Sequence, residues 1–339
     1  MMRYIARRLI MGVFTVWAIS VIAFIVVQLP PRDAVDRLFD QLMDQHGGIT
    51  DSDLRAADEL RAYFGLDRPM HVRYTNWIWN MLRHGDLGRS IAYWNDFQHY
   101  YSVKEAIGDR LWLTVVLSGF TMLVTWTFAI PIGIYSAVRQ HSVGDYVFTF
   151  LGFSGLAVPD FLLGLVLMYV AFAYFDQSVG GLNSADYQNR PWDVARYYDL
   201  LKHLWIPAVV LGTSGTASLI RIMRNNLLDE LGKPYTVTAR AKGMSPWRAI
   251  LKYPVRVAIN PLVSTVGYLL PSLISGSIIV SVVLSLPTLG PLLLDGILKE
   301  DVYLAGFIIL VMGVLTVLGT LISDILLAVV DPRIRLTNR

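Results

Sequence analysis

Of the 339 residues, 54% are apolar and only 16% charged, where a soluble domain carries about 25% charged residues. That composition marks an integral membrane protein, and a net charge of +3 is too small to argue for a nucleic-acid partner. Cysteine is absent, which excludes a disulfide framework and thiolate chemistry.

The chain opens with Arg3, Arg7 and Arg8, followed by an uncharged apolar run from Leu9 to Leu29. A secretory signal has a shorter apolar core and a small-residue cleavage site, and neither is present. Residues 1–29 are therefore expected to be a cytoplasmic N-terminus and a first transmembrane helix. Residues 30–110 carry ten basic and thirteen acidic side chains and read as a small external subdomain. Within it a helix is expected over Asp51 to Phe64, opened by Thr50 or Ser52. Gly65 to Pro69 reads as a turn, and Trp77, Trp79, Tyr93 and Trp94 as interfacial anchors.

Residues 111–339 are expected to form the core, with five further spans. Four are clear by length: Leu111–Val138, Tyr146–Phe175, Leu262–Leu286 and Val302–Val330. His203–Arg224 is a fifth, diluted by Gly212, Ser214, Gly215, Thr216 and Ser218, small residues that let helices approach closely. Prolines 131, 159, 207, 271 and 287 lie in or at the ends of spans and mark bends. The expected fold is thus an all-α integral membrane protein with six transmembrane helices. Eight Lys/Arg against two acids between Arg221 and Arg256, and Arg333, Arg335 and Arg339 beyond the last span, put both termini inside.

Between the fourth and fifth spans lies Tyr235 to Met244. Pro234 suits the first turn of a helix and Gly243 its left-handed end, while Ser245-Pro246 reads as the N-cap and first turn of the next. The helix so defined has about nine residues and is about 13 Å long, too short to cross a bilayer. Arg240 and Lys242 put it on the cytoplasmic side. It can dock a soluble partner, lie on anionic lipid or pack as a linker.

Little chemistry is encoded. No phosphate-binding G-x-x-x-x-G-K-[ST] occurs, so ATP is not expected to bind a P-loop of this chain. The six histidines lack metal-ligand spacing, and no nucleophile elbow is present. Asp160, beside Pro159, is a candidate for lining a pathway, or else sits at a helix end. Asp324, near the end of the last span, is expected to pair with a basic neighbour. A pore subunit driven by a separate ATPase fits this description; a channel or an ion-coupled carrier is the alternative.

Tyr235-Thr-Val-Thr-Ala-Arg-Ala-Lys-Gly243 resembles the cytoplasmic coupling motif of ABC importer permeases, in the T-A-R-A-K-G form of the dipeptide and oligopeptide family. Leu60 to Pro69 with Tyr74 and Trp77, then Gly85 to Ser90, are similar to that family's first external loop. Ser285 to Gly290 and Asp331 to Arg335 are similar to its later signatures. Ser281 stands where the family usually has glutamate, Thr288 replaces a common glycine, Asp301-Val302-Tyr303 replaces Asp-Tyr-Pro, and Val237 replaces the motif's leading glutamate. The resemblance implies a bacterial or archaeal cytoplasmic-membrane importer of di- or oligopeptides. Oligosaccharides, opines, nickel chelates and glutathione are the alternative cargoes. It also implies a homologous second permease subunit, two cytoplasmic ATPases that hold ATP and Mg, and an external solute-binding protein, with no cofactor in this chain. Tyr235, Thr238, Ala239, Arg240, Ala241, Lys242 and Gly243 would form the ATPase-coupling site, and Asp160 and Ser281 would belong to the translocation pathway.

Overall fold

The computed structural model describes residues 2–29, 35–36, 54–55, 58–59, 61–62, 65–88, 90, 102–175, 177, 180–188, 190–275 and 278–330. All regular elements among them are helical: α1 (Met2–Val27), α2 (Met70–His84), α3 (Val103–Val138), α4 (Val143–Ala157), α5 (Asp160–Phe175), α6 (Val194–Leu231), α7 (Pro234–Ala241), α8 (Pro246–Lys252), α9 (Pro254–Ala258), α10 (Asn260–Ser275), α11 (Ile278–Val283), α12 (Leu289–Leu298) and α13 (Val302–Val330), with a single 3-10 turn at Ala185–Tyr187. The chain divides into two compact units. One comprises Met1–Leu9, Trp112–Pro287 and Leu315–Arg339, the other Ile10–Leu111 and Thr288–Val314.

In the first unit α6 is the hub, in contact with α4, α5, α7, α9, α10 and α11. Its small residues permit this. A Cβ added at Gly212 would lie 2.9 Å from Thr125 Oγ1 on α3, and one at Gly155 of α4 would lie 2.6 Å from Thr213 Cγ2 on α6. Met223 and Leu227 are fully buried against Ala129 and Leu262. Asp193 caps the start of α6, accepting from Arg196 N at 2.7 Å. Buried Asp199 holds the preceding loop by accepting from Ser184 N (2.7 Å), Ser184 Oγ (2.6 Å) and Asn183 Nδ2 (3.2 Å). At the other end, Arg224 donates twice to buried Asp145 of α4, at 3.0 and 3.1 Å. Asp324 pairs with Arg8 at 3.0 Å, as its position had suggested.

The second unit is built on α2, α12 and the parts of α1, α3 and α13 that fall within it. Leu289, Leu292 and Leu293 of α12 pack with Val103, Ile107, Leu304 and Ile308. Trp77 stacks on Phe24 with ring centroids 5.5 Å apart, and Tyr74 OH lies 2.8 Å from Ser20 Oγ. The Gly85–Ser90 signature has a physical use here. Gly85 ends α2 in the left-handed conformation, and Gly88 (φ 93°) brings the chain against Tyr303. Ser90 then donates to Asp301 Oδ2 at 2.6 Å, while Asp301 Oδ1 accepts Leu304 N at 3.0 Å at the start of α13.

Among the described residues, four helices are long and apolar enough to span a membrane, and a fifth span arises if α4 and α5 count together. Several expectations are corrected. Tyr146–Phe175 is not one straight span: Pro159 removes a backbone donor, and α4 and α5 meet at 105°. Leu262–Leu286 falls on two helices, α10 of 16 residues and α11 of six. The weak span His203–Arg224, by contrast, is borne out as the middle of a 38-residue helix long and apolar enough to cross a membrane. Trp77 is 4% exposed and is no interfacial anchor, because its ring is covered by Phe24; Trp79 is exposed. Tyr93, Trp94, Arg333, Arg335, Arg339 and the caps proposed for the Asp51–Phe64 helix lie outside the described residues. Within that helix Leu54, Arg55, Asp58, Glu59, Arg61 and Ala62 are helical.

Candidate functional site

Two places in the first unit carry the residues singled out from the sequence. The first is α7. Pro234 occupies its first turn, as its missing N–H favours. Its C-terminus is a Schellman closure: Gly243 takes φ 80°, Gly243 N donates to Arg240 O at 3.0 Å and Met244 N to Ala239 O at 3.3 Å. Thr238 Oγ1 donates back to Pro234 O at 2.8 Å. Ser245 stands at the N-cap of α8, but its side chain makes no capping bond.

Only two side chains of α7 are buried, Thr236 at 0% and Ala239 at 7% exposure. Thr236 Oγ1 donates to Glu230 O at 3.1 Å, which ties α7 to the last turn of α6. The Tyr235 hydroxyl donates to the Glu230 carboxylate. Its pKa is pushed up to about 12, first by partial burial and then by that carboxylate. Thr238, Arg240, Ala241, Lys242 and Gly243 are exposed together. Ala239, expected on the same outward surface, instead faces its own chain, since it lies three residues after Thr236 on one helix face. The outward surface continues onto α8 through Trp247, which is 55% exposed.

The second place is a cavity of about 330 Å³ walled by α3, α5, α6 and α10. Asp160, Thr125, Ser214, Ser218 and Ser272 give it a polar lining, and Leu211, Leu269 and Leu273 an apolar one. Asp160 is the first residue of α5 and also stands in the wall of this cavity. Ser281 is not brought to this cavity; it is fully buried on α11, where its carbonyl accepts Leu286 N at 2.7 Å. α6 links the two places. It carries Ser214, Gly215 and Ser218 at the cavity and Glu230 beneath α7, with Ser218 and Glu230 about 18 Å apart along the axis.

The family of binding-protein-dependent transport system inner membrane components matches residues 129–336. The chain belongs to this family. The N-terminal region of such binding-protein-dependent membrane components matches residues 1–118 as well. This inner membrane component is similar to the oligopeptide transport system permease protein AppB of Bacillus subtilis, 34% identical over 98% of this chain and 99% of the relative. It is also similar to the dipeptide transport system permease protein DppB of Escherichia coli K12, 30% identical over 99% of each. The inner membrane ABC transporter permease protein YejB of Escherichia coli O157:H7 is 29% identical over 99% of each. The family member described here is thus an ABC importer permease subunit of the inner membrane, as its coupling-like motif implied.

Sequence reasoning missed Thr236, Glu230 and Trp247. Thr236 was inside the motif, and the signal that could have found it is its spacing of three from Ala239 on a short helix with one inward face. Trp247 gave a composition signal only, an aromatic just after a first-turn proline.

Proposed function

We propose that this chain is one pore half of an ATP-driven importer of di- and oligopeptides, working with a homologous second permease subunit, two cytoplasmic ATPases and an external solute-binding protein. Six crossings with both termini inside, an external subdomain over residues 30–110 and no ATPase site of its own complete the reading; the ATPases hold ATP and Mg. The Arg8–Asp324 pair supports the sidedness, because it joins the beginning of the first helix to the end of the last. The peptide permeases among its relatives support the cargo.

The observation that carries the mechanism is the seat of α7 on α6 through Thr236 and Glu230. Tyr235, Thr238, Arg240, Ala241, Lys242 and Gly243 offer the contact to an ATPase, with Ala239 holding the helix to its own chain. Movement of the ATPases displaces α7, and α6 carries the displacement toward the cavity at Asp160. A stiff lever between two discrete states is what such a switch needs, and a short helix closed by proline and glycine supplies one end of it. Asp160 lines the pathway; Ser281 contributes from α11 by fixing the turn that follows rather than by touching cargo.

The test is purification of the complex in mild detergent with wild-type chain and with Arg240→Glu/Lys242→Glu. Co-purification of a second permease and ATPases with wild type, and loss of the ATPases alone from the variant, is the expected result. Equal ATPase recovery with both forms would remove α7 from the interface.

A further inference from the structure

The cavity at Asp160 holds an unbalanced charge. On its four walls the sequence places no charged residue over 111–138 of α3, 161–175 of α5, 204–220 of α6 or 257–275 of α10. The next cation along α6, Arg221, lines a different cavity beside α4, and Arg224 is held by Asp145. The Asp160 carboxylate makes no hydrogen bond or ion pair among the described residues. Acids at membrane depth are almost always paired, so the missing counter-charge has to come from outside this stretch of chain.

The groups around Asp160 point to the kind of cation. Thr125 lines the cavity, is 4% exposed, and its hydroxyl has no hydrogen-bond partner among the described residues. The hydroxyls of Ser214 and Ser218 in the same wall are likewise unpartnered. The Thr121 hydroxyl, one turn before Thr125, is unpartnered but sealed in the packing; those three hydroxyls and the Asp160 carboxylate are not sealed. Hydroxyl oxygens accept as readily as they donate, and an ammonium group brings three donors. A divalent ion fits poorly, since it takes six or more oxygens, usually with several carboxylates, and no group of three metal-binding side chains occurs among the described residues.

We propose that Asp160 receives the terminal ammonium group of a peptide, with Thr125, Ser214 and Ser218 accepting its hydrogens. The permease itself then prefers cargo with a free amino terminus. Leu211, Leu269 and Leu273 supply an apolar wall for the first side chain. A volume of about 330 Å³ is at the lower end of small-ligand sites, room for one end of a peptide. The identity of the cargo rests on the import reading; the unbalanced carboxylate does not.

The experiment uses the chain purified in mild detergent with the subunits that accompany it, moved to lipid nanodiscs. Trialaninamide and a water-soluble carbodiimide are added. The reagent joins a carboxylate to an amine held against it, with loss of water, and mass spectrometry locates the new amide. Saturable coupling at Asp160 is expected, undiminished by N-acetyl-trialaninamide and lost in Asp160→Asn. Ser218→Ala and Thr125→Val should each raise the half-saturating concentration several-fold, and they still decide if Asp160→Asn fails to fold. Absent or unsaturable coupling at Asp160, equal competition by the acetylated peptide, stronger competition by Mg²⁺ alone, or unchanged half-saturation in both hydroxyl variants would each overturn the assignment. Saturable coupling without ATP-driven uptake would uphold the site and remove the import reading; uptake without coupling would do the reverse.

Discussion

Two short helices join spans in this chain and are held in opposite ways. α12, ten residues in the second unit, buries Leu289, Gly290, Leu292, Leu293 and Gly296 in an apolar core. α7, eight residues in the first, buries only Thr236 and Ala239 and owes its shape to Pro234, the left-handed Gly243 and back-bonded threonines. A linker is fixed by what it buries; a docking element is fixed by its backbone and leaves its side chains for something else. That contrast supports the proposed docking reading of α7 over the linker one.

The largest effect expected from breaking the contrast is in α12. Leu292→Ala should cost about 2–5 kcal/mol, the usual loss for a buried leucine, whereas Arg240→Ala on α7 should stay within about 0.5 kcal/mol. Thermal melting of the purified chain reads both, and equal losses would make α7 a packed linker. A smaller effect is expected at Gly243. No atom would crowd a new Cβ, so Gly243→Ala should cost only the left-handed backbone penalty of about 1–2 kcal/mol. It should loosen the end of α7 without removing the chain from the membrane, and amide exchange near Met244 reports it. The smallest effect belongs to Tyr235. Its folded pKa, about 12, lies above the ordinary tyrosine value, so the folded chain keeps a proton that the unfolded chain loses. The contribution is whole below about pH 10 and disappears as pH rises toward 12. Tyr235→Phe should flatten that part of the stability profile, and an unchanged profile would sever the Glu230 contact.

Local backbone chemistry was the legible part of this fold. Pro234 and Gly243 bounded α7 to within a residue because proline and glycine act through their own dihedral limits. Pro159 was recognised as a bend, but continuous apolarity over Tyr146–Phe175 hid a turn of 105°, since hydropathy does not register direction. Trp77 was assigned to an interface from its type, although only the partner ring of Phe24, 53 positions earlier, decides its burial. The Asp145–Arg224 pair and the Asp199 network were out of reach for the same reason: each joins groups that share no local pattern. Asp324 was legible because a lone acid near the end of a span needs a cation, and Arg8 supplies it.

The central claim is that the outward side of α7 meets a soluble protein and not lipid. The absence of native cysteine allows a direct test with a single Lys242→Cys chain. Its labelling by a membrane-impermeant maleimide is followed in nanodiscs with and without the ATPases. The account expects rapid labelling of the chain alone and protection, at least tenfold slower, once the ATPases are bound. Slow labelling without the ATPases, unchanged on adding them, would contradict it and make α7 a lipid-surface helix.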